Sequence, residues 1–487
     1  MSRFFKAFVF ALIFVVFWVK GIYFLDPDFG WHLASGQLIL SEGFSKTDRF
    51  SYTMPSFPEV RHDWLSEVII AKLYGLVGYI GLSFLFSALA FFSFLVVIKK
   101  GFFNDYKVLV PLTLAASVIL PYIGIRTQVV TLFFFAVLIS ILFNQAKNLF
   151  ILVPIFTLWA NLHGGFSSGL AVLYLVLVLR MLRERKINTR YVAVLAFSTL
   201  ATFLNPYGII LWREVRDTVL GSPLRWTISE WAPSIFVFSF PLVLLFSLSS
   251  IFIWRARKRI KFEKLVLYIL FLLEGIVSRR HVPLWAIVSL PLTIETLGFF
   301  RKELPGKSGA IIRFKKAVKI SLFASLVLFI FQSTISLKDA ILLNENVFYP
   351  KNAVLLLKNN LPQGQIFSEY GWGGYLIWKL PEKRVFIDGR MAVWKWKGGI
   401  SEETDNAFED YFKILSNDLN FEDISEKYTI DTVLWPTSKR PTLFERAQRE
   451  LDKFLARFGK ETKDFDFLKG LEKEGWRLVY KDNVAVI

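Results

Sequence analysis

Through about residue 337 the chain alternates long apolar runs with short turns that carry arginine, histidine, aspartate or glycine; beyond it the pattern shifts to short mixed segments. Most of the apolar runs are roughly 17–25 residues long, the length needed to cross about 30 Å of hydrocarbon, and some are shorter. They fall near residues 4–25, 80–98, 108–124, 128–144, 148–161, 166–182, 191–205, 235–254, 264–278, 283–300 and 317–336. The pattern predicts an α-helical polytopic membrane protein of about eleven spans. The first run begins at Phe4 and is followed by no small-residue cleavage site, so it is expected to be a retained span.

Two parts follow from the same pattern: a multispanning domain over 1–337, with a long first outer loop at 26–79, and a water-soluble domain over 338–487. The loop becomes amphipathic through HLASGQLIL and again through WLSEVIIAKLYGLVGYIGL, as in segments that lie along a membrane interface. The tail reads as α/β. Ala353 to Asn359 is helix-like, and QIFSEY, GYLIWKL and KRVFIDGR are strand-like. LFERAQRELDKFLARFG is an amphipathic helix candidate, and WRLVYKDNVAVI a hairpin turning at Asp482–Asn483.

Charge orients this picture. The net charge of +18 is concentrated in alternate loops, around Lys99, Arg183–Arg190, Arg255–Lys261 and Arg301–Lys319. By the positive-inside rule these loops and the amino terminus are cytoplasmic, and the tail is extracytoplasmic. Topology and contact with anionic membrane lipid account for the basic balance, and no nucleic-acid partner is expected. With 54% hydrophobic residues and 51 phenylalanines the chain is too apolar for a soluble protein of its length. The absence of cysteine removes disulfides, thiolate catalysis and thiolate metal sites.

The chemistry-bearing residues gather in the opposite loops. All four histidines, His32, His62, His163 and His281, lie there beside acids, arginines or glycines. Asp26 and Asp28 follow the first span, with Pro27 fixing the backbone between them. A helix starting near Asp28 places His32 on its face, four residues on. Asp26, Asp28 and His32 can bind a divalent cation, Mg or Mn, or one carboxylate can act as a general base. The plainer alternative is that Asp28 caps the helix after it.

Asp63 and Glu67 are spaced i, i+4 in helical geometry, a repulsive pair unless a cation or an arginine answers it. His163 in NLHGG is either a donor to an anionic ligand or a packed histidine. Arg126, Arg279 and Arg280 beside His281 suit phosphate oxygens; snorkelling to the interface is the alternative. Glu274 is a candidate buried partner for Arg279 or for another basic group in the bundle. Glu230, next to Trp231, is an outer-face acid that can help bind a sugar. The tail's YGWGGYLIW and VFIDGR suit either carbohydrate contact or a plain α/β core with a turn at Asp388–Gly389.

A short cytoplasmic amino terminus, an acidic motif after the first span, amphipathic segments in a long first outer loop, many spans and an extracytoplasmic carboxy-terminal domain together resemble the GT-C glycosyltransferase superfamily. Protein mannosyltransferases and oligosaccharyltransferases share that plan, and DPDFGWHL, HDWLSE, NLHGG, NPYG, SEW and YGWGGYLIW…VFIDGR resemble prokaryotic proteins placed near it.

The resemblance implies inverting transfer of a sugar from a polyprenyl-phosphate donor to a glycan, lipid or protein acceptor on the outer face of the cytoplasmic membrane. Asp26 or Asp28 would be the base. Arg126, Arg279 and Arg280 would stabilise the leaving phosphate, and His32 and His62 would orient groups or ligate a metal. His163, His281, Asp63, Glu67 and Glu230 complete the expected binding set. A WWD-type acceptor motif is absent, which argues against an Asn-directed transferase. A transporter or a non-catalytic lipid- or glycan-binding protein is the alternative.

Overall fold

The computed structural model describes the chain except residues 1–2, 100, 102–104, 145–147, 221–230, 235–238, 304–307, 398, 400–401 and 438–466. In chain order the helices of the amino-terminal part are α1 (Arg3–Tyr23), α2 (Phe29–Glu42), α3 (Trp64–Val97), α4 (Leu109–Ile119), α5 (Gln128–Phe143), α6 (Leu152–Leu162), α7 (Phe166–Glu184) and α8 (Thr189–Ala201). They continue as α9 (Ile210–Leu220), α10 (Phe240–Ala256), α11 (Phe262–Val277), α12 (Val282–Glu303) and α13 (Ser308–Leu342). By compactness the chain divides into one unit of residues 1–24, 77–209 and 230–340, and a second of 25–76, 210–229 and 341–487.

The first unit is a helical bundle. A helix occupies each apolar interval expected from the sequence, and among the described residues five helices are long and apolar enough to cross a membrane. The protein is therefore a largely helical membrane protein; the other apolar helices are shorter. Its centre is formed by α4, α5 and α12, where Leu112, Ala115, Phe135, Ala136, Ile287 and Leu290 are fully buried. The outer faces are apolar too: Phe8, Leu200, Ile251, Trp254, Phe323 and Phe331 are each more than half exposed. Side chains that are hydrophobic all round suit a bundle whose solvent is lipid. In α3 the helix is interrupted at Gly78, where φ is 63° and ψ −169°, values that only glycine adopts without strain.

The second unit joins the loop after α1 to the carboxy-terminal part. Its further elements are α14 (Lys351–Asn359), β1 (Gln365–Ser368), α15 (Gly373–Lys379), α16 (Ala407–Leu415), α17 (Phe421–Tyr428), β2 (Ile430–Pro436), α18 (Phe467–Lys473) and β3 (Ala485–Val486). Strands β1 and β2 pair in parallel, and β3 pairs antiparallel with β2. Val385 bridges in parallel to Ile366 of β1 and to Ser51 of the first loop, so the loop forms the next rung of the tail's sheet. Tyr52 N–H donates to the Val385 carbonyl at 3.1 Å, and Val385 N–H donates to that of Phe50 at 2.9 Å. Met54 of the loop lies in the same core as Phe367, Phe386, Met391, Tyr411 and Trp435.

Three expectations need correction. GYLIWKL is helix α15, and in KRVFIDGR only Val385 pairs, before a 3-10 turn over Gly389–Val393. A short run buried on every side has no periodicity to tell helix from strand, so packing decides. The HLASGQLIL segment is not laid along a surface over its whole length: Phe29, Trp31, His32, Leu33 and Ser35 are buried within the unit, and only its end, such as Leu40, is open. The expected helix α14 and the Asp482 turn are present; Asp482 accepts from Val484 N–H and Ala485 N–H, both at 2.7 Å. LFERAQRELDKFLARFG lies outside the described residues.

Glycines set the contact of α2 with α15. A Cβ on Gly30 would lie 2.0 Å from the Gly374 carbonyl oxygen, and one on Gly374 would lie 2.2 Å from that of Pro27. Neither backbone can yield without moving the helix. Gly30→Ala and Gly374→Ala are each expected to lower stability by at least about 3 kcal/mol, the upper end of overpacking effects. Gly75→Ala, facing nothing within 4 Å, should leave stability unchanged or raise it by up to about 1 kcal/mol. Melting of the detergent-solubilised variants checks all three.

Candidate active site

The turn after α1 is built by its own acids. Asp26 Oδ1 accepts from Asp28 N–H at 2.9 Å, and Phe29 N–H donates to the Asp26 carbonyl at 3.1 Å, closing a tight turn into α2. Asp28 stands at the N-cap but makes no side-chain cap bond; its Oδ1 accepts from Trp31 Nε1 at 3.0 Å. Asp26 is buried and Asp28 is partly open. Gly389 of the tail closes over Asp28, since a Cβ there would lie 2.2 Å from Oδ1. The Tyr370 hydroxyl is pushed well above its usual range, by burial first and then by the carboxylates of Asp28, Asp388 and Glu369.

Beside this turn is a buried ion network centred on Arg390. Its Nε and Nη2 donate to the two Asp388 oxygens at 2.8 and 2.6 Å, and Nη1 donates to Asp48 at 2.9 Å and to Glu59 at 2.6 Å. The planar fork explains why arginine stands here: one side chain answers three carboxylates in fixed directions. Glu59 also pairs with Arg61 at 2.7 Å, and Arg61 Nη1 donates to Ser35. The Phe50 ring lies against both guanidiniums, at 5.3 Å from Arg61 and 4.9 Å from Arg390. Burial alone would raise the Asp48 carboxyl, but Arg390 and hydrogen bonds from Ser51 and Phe50 hold it below its usual range.

His32, Asp63 and Glu67 converge next to Arg61. Nδ1 of His32 is 3.5 Å from Asp63 Oδ2 and 3.4 Å from Glu67 Oε1, and Arg61 Nη1 is 3.7 Å from the same Glu67 oxygen. All are buried. Burial lowers the His32 imidazole to about 4, so at neutral pH the ring is uncharged; burial also raises the Asp63 carboxyl. The helical i, i+4 pairing of Asp63 and Glu67 is therefore answered by an arginine and an imidazole. Among the described residues these three are the group whose ligand atoms lie within 4.8 Å of one another. The ring turns Nδ1 to Asp63 and Glu67 rather than to Asp26 and Asp28, the partners expected from sequence. His62 points elsewhere and pairs with Glu214 of α9 at 3.0 Å.

The remaining candidates belong to the first unit. His163 ends α6; its Nδ1 accepts from Gly165 N–H at 2.9 Å and contacts Thr131 Oγ1 at 2.7 Å, and Trp159 Nε1 donates to that hydroxyl at 3.0 Å. That is the geometry of a packed histidine. Arg280 stacks over Trp231 at 4.8 Å, and Arg126 lies over Phe24 at 5.9 Å. Arg279 N–H donates to the Ala232 carbonyl at 3.0 Å, and His281 follows in the same 3-10 turn. Glu230 lies outside the described residues.

Sequence reasoning passed over Asp48, Glu59 and Arg61. Arg61 shares RHDW with His62 and Asp63, and that adjacency was a usable signal. Asp48 in KTDRF carries none, because its partner Arg390 is 342 positions away. Lys20, also passed over, is buried in α1 with its ammonium donating to the Ile123 carbonyl and lying 3.7 Å from the Phe24 ring centre.

No protein-family model and no curated protein sequence matches the chain. Among solved structures it is similar to the oligosaccharyltransferase of Archaeoglobus fulgidus in its apo form, with a TM-score of 0.56 and 12% identity. The match covers 89% of this chain and 70% of that one. At that identity the likeness is one of fold, and the fold is GT-C-like.

Arg390→Met strips three buried carboxylates of their shared cation and should destabilise the protein by about 3–5 kcal/mol. Arg390→Lys, a point charge without the fork, should recover only part of that loss. Melting temperature and protease resistance of the two variants measure it.

Proposed function

We propose that the chain is a membrane glycosyltransferase that moves a sugar from a polyprenyl-phosphate carrier to a glycan, lipid or protein acceptor. What supports this reading is a buried acidic turn directly after α1 in a fold similar to that of an oligosaccharyltransferase. In the proposed reaction a carboxylate of Asp26 or Asp28 takes the proton of the acceptor hydroxyl. The acceptor oxygen then forms the new bond to the anomeric carbon, the bond from that carbon to the phosphate oxygen breaks, and the phosphate leaves with the electron pair. The anomeric centre is thereby inverted.

Asp28 is the better placed of the two to receive a proton, because it is partly open while Asp26 is buried; its Oδ1 also accepts the indole hydrogen bond of Trp31. Asp26 holds the turn through Asp28 N–H. The arginines at helix ends of the first unit, Arg126, Arg279 and Arg280, have the fork geometry that suits a lipid phosphate. The distribution of basic loops supports a cytoplasmic-membrane protein with its amino terminus inside and its tail outside.

The test is transfer of radiolabelled sugar from a panel of polyprenyl-phosphate sugars to membrane extract. Wild type should consume at least one donor, and Asp28→Asn should reduce transfer by roughly 10²–10⁴-fold while remaining folded. Asp26→Asn should lower both transfer and stability. If no donor is consumed, or if both variants match wild type, the proposal fails.

A further inference from the structure

We propose that His32, Asp63 and Glu67 form a binding site for one divalent transition cation, Mn²⁺ or Zn²⁺, separate from the Asp26–Asp28 turn. Three observations lead there. The first is charge. The contiguous buried network holds the carboxylates of Asp48, Glu59, Asp63, Glu67 and Asp388 against the guanidiniums of Arg61 and Arg390. Five carboxyl groups stand against two guanidiniums, so the arginines cannot answer all of them. Arg390 is consumed by Asp388, Asp48 and Glu59, and Arg61 is shared between Glu59 and Glu67. The end of the network least answered by arginine is at Asp63 and Glu67, where Arg61 comes only to 3.7 Å of a Glu67 oxygen.

The second observation is polar satisfaction. Among the described residues, Nδ1 of His32 and both carboxylate oxygens of Glu67 have no hydrogen-bond partner, although Glu67 is 0% exposed and His32 3%. Buried polar atoms are rarely left so, and a carboxylate that accepts nothing is a costly one. The third is spacing. The imidazole nitrogen is 3.4 and 3.5 Å from the two carboxylate oxygens. Bonds of about 2.0–2.2 Å to a shared tetrahedral ion place neighbouring ligand atoms about 3.3–3.6 Å apart.

One imidazole with two carboxylates selects a borderline cation; Mg²⁺ and Ca²⁺ prefer all-oxygen shells. The i, i+4 carboxylates around the start of α3 and the histidine on α2 come from elements held together at Gly36, where a Cβ would lie 2.0 Å from the Glu67 carbonyl oxygen. That close crossing fixes the donor set in advance of the ion.

The site is tested with full-length protein in detergent, stripped with a chelator, by titrating Mn²⁺ alone and following free Mn²⁺ by electron paramagnetic resonance, with Zn²⁺ retention measured after dialysis. Wild type should bind one equivalent and melt at a higher temperature with the ion present. Glu67→Gln and Asp63→Asn should each weaken binding at least about 100-fold. In chelator, Glu67→Gln should melt no lower than wild type, because it replaces a buried carboxyl that accepts no hydrogen bond by a neutral amide of the same size; a purely structural role for Glu67 predicts the reverse.

Absence of saturable Mn²⁺ or Zn²⁺ binding by wild type overturns the proposal, as does wild-type affinity in both folded variants. So does binding abolished by Asp28→Asn but retained in those two. No sugar donor enters the experiment, so its failure and that of the transferase reading are read separately.

Discussion

Arg390 is the residue on which the second unit depends. Its guanidinium is almost wholly out of water, yet it faces Asp388 of its own turn and Asp48 and Glu59 of the loop after α1 at once. A buried guanidinium is tolerated only when its donors are answered, and buried carboxylates only when a cation answers them. Neither half of the unit satisfies its charges alone. The loop brings acids that the tail's arginine needs, and the tail brings an arginine that the loop's acids need. The Ser51–Val385 bridge and the burial of Met54 in the tail's core add backbone pairing and apolar packing to the same junction.

The acidic turn follows from this junction. Once the loop is locked by Arg390, the 3-10 turn after Asp388 places Gly389 over the Asp28 carboxylate, and Gly374 of α15 lies against the Pro27 carbonyl. DPDFGWH and the tail's GWGGY and DGR are thus parts of one construction, with the glycines supplying the room and the arginine the charge. Held this way, Asp28 has a fixed direction and limited solvation, conditions under which a carboxylate can work as a base. His32, one helical turn on, faces the second pair of acids, so the two acidic groups are served by opposite ends of one short helix.

Much of the bundle was legible because lipid imposes long apolar runs, and each run has a helix. The acidic turn was legible from Asp-Pro-Asp at the edge of a run. What stayed hidden depends on distance along the chain. Nothing local in KTDRF marks Asp48 as the partner of Arg390, and nothing local in GYLIWKL says helix, since all-round burial erases periodicity. Asp63 and Glu67 read from the sequence as a like-charged pair in need of an answer. That the answer includes Arg61 and His32 follows only from the crossing of α2 and α3 at Gly36.

The junction of loop and tail is open to direct measurement because the chain contains no cysteine. Ser51 and Val385 are bridge partners, as are Ile366 and Val385 within the tail, and paired strand residues lie within the Cα separation of about 4.4–6.8 Å that a disulfide spans. In membranes treated with a mild oxidant, Ser51→Cys with Val385→Cys should cross-link as completely as Ile366→Cys with Val385→Cys. Cross-linking of the tail pair without the loop pair would contradict the account, because the loop would then not be part of the tail's sheet.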